Sequence, residues 1–270
     1  MRRTVIALLG ALAGVVPGVA VALSAGGGSG AGMAPELTSV FHRPLDGIGS
    51  VRNDDVTSSN WSGYAVEATT QFTSASVSWT QPTATCSGTT PAYAAFWVGI
   101  DGYSSGSVEQ LGTDSDCSGG RPTYYAWWEM YPANSVSLST TGDQVRPGDT
   151  LSASVSRNGT AYALTLHSSE GWTFSTTQTG THANSSAEWV AESPEICTLI
   201  FCHLAKLADF GSITFTSAQA ATGGAMLPIA ALTTDGGPHD VTMTGNGSVR
   251  AQPGALGGAG SSFTDTWRHS

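Results

Sequence analysis

The chain has 270 residues, 40% of them hydrophobic, 9% aromatic and only 11% charged, with 34 glycines; that suffices for one cored domain of ordinary size. Twenty acidic against ten basic side chains give a net charge of −10, and Lys206 is the sole lysine, which argues against nucleic acid and anionic membranes as partners. The low charge and the Ser, Thr and Gly richness suit an all-β protein better than a helical one.

In chain order, Arg2 and Arg3 precede a mostly apolar run from Val5 to Val21, and Ala20-Val21-Ala22 has the small-residue pattern of a cleavage site. Residues 1–22 therefore read as a secretory signal, with an extracellular destination and no membrane contact after its removal. Residues 23–58 hold a Gly/Ser/Ala tract and scattered prolines without apolar periodicity, the composition of a linker or propeptide. The folded domain is expected over 59–270, as a monomer. Without the first 58 residues the chain keeps 16 acids and 6 bases, so few salt bridges would be lost in acid.

From Ser59 onward, period-two segments dominate. Val77 and Trp79, Val136 and Leu138, Leu151, Ala153 and Val155, Leu164 and Leu166, and Ile213 and Phe215 each alternate with small polar residues. Arg146-Pro147-Gly148-Asp149, Arg157-Asn158-Gly159 and Gly245-Asn246-Gly247 supply turns between them. Many short alternating strands separated by turns predict a β-sandwich or barrel. A short helix is expected around Leu204–Leu207, and a last strand through Phe263 and Trp267. Four cysteines behind a signal imply disulfides and allow three pairings; the favoured one closes Cys197–Cys202 as a small loop, which leaves Cys86–Cys117. No His-Glu-x-x-His or zinc-finger spacing occurs, so no metal or cofactor is expected.

Several segments could carry chemistry. As a strand, Tyr125–Tyr131 places Tyr125, Trp127, Glu129 and Tyr131 on one face, a row of rings holding one acid. Ala187–Glu192 places Glu188 and Glu192 on one face but roughly 13 Å apart, too far to act as a pair. A cleft Gln such as Gln110 can polarise a carbonyl through its amide N–H and orient a water through its amide O.

These segments together resemble the glutamic peptidases (eqolisins). Ser59-Asn60-Trp61-Ser62-Gly63 resembles the family's mature start. Trp97-Val98-Gly99-Ile100-Asp101, followed by Gln110-Leu111-Gly112, resembles the stretch that carries its catalytic Gln. Trp127-Trp128-Glu129-Met130-Tyr131-Pro132 resembles its aromatic strand. Ser186-Ala187-Glu188-Trp189-Val190-Ala191-Glu192 resembles the pattern ending in its catalytic Glu, and Ala208–Thr216 a later strand. Five motifs in order, over residues 59 to about 220, make the likeness specific.

The resemblance implies a two-sheet antiparallel β-sandwich of lectin-like jelly-roll type. It also implies a secreted, bacterial-type acid endopeptidase acting on polypeptides. Gln110 and Glu192 would be the dyad, Trp61, Trp97 and Trp127 would line the cleft, and Asp101, Asp114 and Glu129 would be nearby acids. Glu192 would take a proton from the attacking water and Gln110 would stabilise the oxyanion, with no need for a strongly raised pKa on Glu192. Departures from the pattern are Ser186 for Asn, Met130 and Thr113 for aromatics, Glu109 for an apolar residue and Tyr125 for Asp.

Three other readings compete. Gly102-Tyr103-Ser104-Ser105-Gly106 matches a nucleophile elbow, which requires a strand–turn–helix setting. Glu129 and Glu192 could instead serve a carbohydrate-active jelly roll, where a retaining pair stands about 5 Å apart. A non-catalytic sugar- or peptide-binding module would use the same aromatics.

Overall fold

The computed structural model describes residues 39–46, 49–50, 55–138, 144–232 and 237–270. The expected signal, residues 1–22, and much of the segment 23–58 lie outside the described residues. Strands β1 (Ser39–Phe41), β2 (Gly49–Ser50), β3 (Asp55–Ser58), β4 (Trp61–Glu67), β5 (Ser74–Thr80) and β6 (Ala95–Ile100) come first. Then follow β7 (Val108–Ser118), β8 (Arg121–Tyr131), β9 (Val136–Ser137), β10 (Thr150–Asn158), β11 (Ala161–Ser168), β12 (Thr173–Thr179) and β13 (Ser186–Glu192). The last are β14 (Glu195–Cys197), β15 (Cys202–Leu204), β16 (Ser212–Ala221), β17 (Leu227–Pro228), β18 (Pro238–Gly245), β19 (Ser248–Pro253) and β20 (Phe263–Trp267).

Pairing runs β9-β8-β7-β6-β13-β4-β18 in one sheet and β12-β11-β10-β5-β16-β20 in the other. β19 pairs with both β18 and β20 and joins the two sheets along one edge. The pairs are antiparallel except β3 with β18, which is parallel. This is the expected sandwich, and because β3 is already part of it, the sheet begins upstream of Ser59. The expected helix at Leu204–Leu207 is replaced by extended chain. Leu204 ends β15, and Leu207 bridges to Tyr93.

Alternation explains which face meets which. In β5, Ala75, Val77 and Trp79 are buried while the serines between them are half-exposed, and β10 and β11 follow the same rule. Their apolar faces pack on Phe96, Val98, Ile100, Leu111 and Trp189 of the first sheet. Each such side chain contributes about 1.5–3 kcal/mol on burial. Cys86–Cys117 and Cys197–Cys202 are both bonded, as expected. Among the described residues no helix is long and apolar enough to cross a membrane.

The opposite face of the first sheet is also buried. Trp61, Ala65, Ala95, Trp97, Val108, Trp127 and Val190 form a second apolar cluster there. Strands β6, β7 and β13 are consequently covered on both sides, apart from Ser118 at the end of β7.

Candidate active site

The second face carries the polar residues singled out in the sequence. Cross-strand pairing sets three rows. Trp61, Glu192, Ala95, Asp114 and Tyr125 form the first. Val190, Trp97, Gly112 and Trp127 form the middle one, and Glu188, Gly99, Gln110 and Glu129 the third. Gln110 and Glu192 thus lie on either side of a row that holds Gly112. A Cβ at Gly112 would sit 2.2 Å from the Phe96 carbonyl oxygen and 2.6 Å from Trp97 Cβ, so the close approach of β6 and β7 requires glycine there. Gly63, in the Ser-Asn-Trp-Ser-Gly stretch, has a similar reason. Its φ is +141°, and a Cβ would meet the Trp189 carbonyl oxygen at 2.1 Å.

A segment of the chain itself, residues 39–46, lies across these rows. The His42 amide donates to Glu129 Oε2 at 3.0 Å, and the His42 carbonyl accepts from Gln110 Nε2 at 2.5 Å. The Arg43 amide donates to Glu192 Oε1 at 3.0 Å, and the Arg43 carbonyl accepts from Trp61 Nε1 at 2.9 Å. The His42 ring stacks on Trp127 with centroids 3.5 Å apart, and its Nδ1 lies 3.4 Å from Glu192 Oε2. Trp97 Nε1 donates to that same Oε2 at 2.9 Å.

A supporting layer fixes the rings. Trp127 Nε1 donates to Asp114 Oδ1 at 2.6 Å. The Tyr125 hydroxyl lies 2.8 Å from Asp114 Oδ2 and 2.9 Å from Asp116 Oδ2. One hydroxyl proton cannot serve both carboxylates, so one carboxyl donates in return. Burial pushes Asp114 up to about 7 and Asp116 well above its usual range, the latter helped by the charge of Asp114.

Glu192 is fully buried, and that burial, followed by the neighbouring Glu129, raises its pKa well above the carboxylate range. The Trp97 and Arg43 donors pull the other way. The sequence suggested little need for such a shift; the difference arises because residues 39–46 shut the carboxyl away from water. Glu129 is pushed up to about 9, chiefly by burial. Burial drives His42 the opposite way, well below the usual imidazole value.

The structure therefore brings Gln110, Glu192, Trp61, Trp97, Trp127, Asp114 and Glu129 to one face. Asp101 is the correction. Its carboxylate accepts from the amides of Asn184 and Ser185, at 2.6 and 2.8 Å, and from the Ser185 hydroxyl. It therefore holds the loop before β13 rather than lining the cleft. Glu109 points to the core side of β7, where burial, and then the Asp101 charge, raise it to about 9. Sequence reading missed His42, Arg43 and Glu195. Arg43 Nη1 pairs with Glu195 Oε1 at 2.5 Å, and the only local signal was an acid directly after Pro194. Gly102–Gly106 connects strands β6 and β7, so the strand–turn–helix setting of a nucleophile elbow is missing. The cluster of Glu195, Cys197 and Cys202 offers no thiolate for a metal, because its two sulfurs are bonded to each other.

Comparison with known proteins bears on the fold and the family. Scytalido-glutamic peptidase, solved with a transition-state analogue inhibitor, superposes with a TM-score of 0.67 at 24% identity, covering 78% of this chain and 98% of that one. Aspergilloglutamic peptidase from Aspergillus niger gives a TM-score of 0.53 at 27% identity, over 66% of this chain and 99% of that one. Aspergillopepsin-2 of Aspergillus niger is 30% identical over 155 residues, 56% of this chain and 50% of that protein, so the chain spans about half the length of this relative. The model of the peptidase A4 family matches residues 59–252, from the Ser-Asn-Trp-Ser-Gly stretch through β7 and β13 into β19; the chain belongs to that family, the eqolisin-type glutamic peptidases.

Proposed function

We propose that the chain is a secreted, monomeric acid endopeptidase of bacterial type that hydrolyses polypeptides through Gln110 and Glu192, without metal or cofactor. One observation carries this reading. A peptide unit in the cleft has its carbonyl oxygen at Gln110 Nε2 and its following nitrogen at Glu192 Oε1. Those are the two atoms that change most in amide hydrolysis, the first becoming an oxyanion and the second needing a proton. The secreted and bacterial-type parts rest on the sequence of the first 22 residues and on the motif resemblance.

In the proposed reaction, Glu192 as carboxylate removes a proton from water as the water adds to the scissile carbonyl. Gln110 donates its amide N–H to the growing negative charge. Glu192 then returns the proton to the leaving nitrogen, 3.0 Å away in the present pose. Gln110 Oε1 and Glu129 Oε1 are buried without a hydrogen-bond partner among the described residues, so the amide oxygen can accept from a small polar reactant and the protonated Glu129 carboxyl can donate to one. Glu129, at about 9, stays protonated in acid and adds no like charge beside Glu192. When the cleft opens, the burial that raises Glu192 weakens and its pKa returns towards the acid range, where a general base for acid conditions belongs.

A backbone-engaged peptide in the cleft also favours a polypeptide over a sugar as substrate. The test is incubation of the purified protein with an unfolded protein from acid to neutral pH, beside Glu192→Gln and Gln110→Ala. Cleavage in acid that both substitutions abolish is the expected result. Cleavage that survives both would overturn the dyad, and none by folded wild type would overturn the activity.

A further inference from the structure

Of the large hydrophobic side chains among the described residues, six are exposed, and four of these lie in one short stretch: Leu199, Ile200, Phe201 and Leu204. Leu199 and Ile200 are 83% and 87% exposed, and Phe201 is 61% exposed. The stretch is closed at its base, because Cys197 and Cys202 face each other across the β14–β15 hairpin and are bonded. Inside that ring the Thr198 amide and hydroxyl both donate to the Phe201 carbonyl, at 2.9 and 3.1 Å. Ring and turn hold three apolar side chains at a tip that belongs to neither buried cluster. Folding gains nothing from that placement, and a contiguous exposed apolar patch marks a contact surface. Because the ring already limits the loop, little conformational freedom is lost on contact.

What the tip contacts follows from the strand that carries it. β14 has β15 on one side and Ser39–Phe41 on the other, antiparallel. Phe41 leads straight into His42, whose carbonyl oxygen is held by Gln110. The free edge of β14 is therefore the continuation of the cleft on the side before the peptide unit held by Gln110 and Glu192. Extended chain added to a sheet edge is a common way of binding a peptide in register. In this register Ser39, the fourth residue before that bond, stands opposite Cys197. A polypeptide held the same way and continued upstream brings its fifth to seventh residues level with Thr198, Leu199 and Ile200. The tip, Thr198-Leu199-Ile200-Phe201, carries no charge, so it discriminates by apolar surface. Folded proteins keep most such side chains inside and unfolded ones display them.

We propose that the Leu199–Phe201 tip is an accessory site for apolar residues of the polypeptide substrate, gripping it five to seven residues before the bond to be cut. The inference rests on the proposed function and adds a determinant of substrate choice to that site. The tip touches no reacting atom; it acts on binding and shows in KM.

The test uses the full chain at an acid pH at which it cleaves an unfolded protein. A set of peptides shares the same four residues before the cleaved bond and the same residues after it. One peptide begins there, and the others carry three further upstream residues, Leu-Leu-Phe or Ser-Ser-Ser. The apolar extension should raise kcat/KM roughly tenfold over the serine one, mainly through KM, the scale of burying two methylene groups. The serine extension should match the short peptide. In the triple variant Leu199→Ser, Ile200→Ser, Phe201→Ser the ratio should fall below about twofold; all three side chains are exposed, so the core is untouched. Ile200→Lys should in turn favour extensions containing Glu, a gain that a merely structural role would not produce. A wild-type ratio near one, with all peptides cleaved, would overturn the inference and leave the proposed function standing. A ratio that survives the triple substitution would also overturn it. So would an unchanged ratio accompanied by lost binding to phosphatidylcholine vesicles, or by loss of a concentration-dependent dimer, which would assign the tip to a lipid surface or to a second copy. No cleavage of any peptide or of the unfolded protein by folded wild type would overturn the proposed function and this inference with it.

Discussion

Gln110 and Glu192 hold opposite ends of one peptide unit, Gln110 through the carbonyl oxygen of His42 and Glu192 through the amide nitrogen of Arg43. In the proposed reaction neither residue needs to touch the other, because the bound peptide unit connects them. The division of labour predicts unequal losses. If Gln110 is the oxyanion donor of the proposed reaction, Gln110→Ala should lower kcat by roughly a hundred- to a thousandfold. Glu192→Gln would remove both the base and the acid of that reaction and should cost more. Steady-state kinetics on an unfolded protein substrate checks the order; an equal or reversed ranking would contradict the roles.

Trp127 stacks on the His42 ring, and its indole N–H is fixed by Asp114. In the proposed reaction it holds the residue before the cleaved bond and takes no part in proton transfer. Trp127→Ala should therefore raise KM by about tenfold, the scale of a lost aromatic stack plus its burial, with a smaller effect on kcat. Asp114→Asn keeps the shape but weakens the hold on the indole, so the same parameter should move less. A loss confined to kcat would place Trp127 in the chemistry instead.

Glu195 meets the guanidinium of Arg43, the residue following the bond in the cleft, in a partly exposed pair. Such pairs contribute about 1 kcal/mol or less, which is close to fivefold in kcat/KM. Glu195→Gln should lower kcat/KM by up to that factor for peptides with Arg or Lys just after the cleaved bond. Peptides with a neutral residue there should be unaffected. Competition between paired peptides in one reaction reads the preference directly.

Much of this was legible in the sequence wherever one side of a strand faces the core and the other faces water. β5, β10 and β11 alternate cleanly, and their burial follows the same period. β7 does not, because both of its faces are covered and polar residues such as Gln110 and Asp114 lie inside. β12, Thr173–Thr179, has no apolar alternation and is held as an outer strand by its ladder to β11. Asp101 follows the same motif as the cleft tryptophan Trp97, yet it sits just past β6 at φ +69° and caps a loop. Apart from the acid after Pro194, the filled cleft carried no local signal. His42 and Arg43 meet Glu129 and Glu192 across 87 and 149 residues of chain, and no short pattern encodes such a meeting.

The buried carboxyls predict a protein most stable in acid. Burial pushes Glu129 up to about 9, and Asp114 and Asp265 to about 7. An unfolded chain titrates these groups near 4. Between those values the folded state keeps protons that the unfolded state has released, so stability falls as pH rises. The contribution is fully present below about pH 4 and is lost progressively as pH climbs through about 7 and then 9. His42 has the opposite sign, since its lowered pKa makes its contribution fade as pH drops below about 6.5. That effect is confined to the segment in the cleft and weakens its hold in acid. These carboxyls, joined by Glu109 at about 9, outweigh it, and Tm by calorimetry should fall by roughly 5 °C or more between about pH 4 and pH 8. Asp265 lies away from the cleft, where its Oδ1 accepts from the Ser62 hydroxyl at 2.9 Å. Asp265→Asn keeps that acceptor but cannot ionise, so it should flatten the profile between about pH 5 and 8 while sparing activity. A Tm that rises towards neutral pH in the wild type would contradict the assignment of these acids as neutral in the folded state.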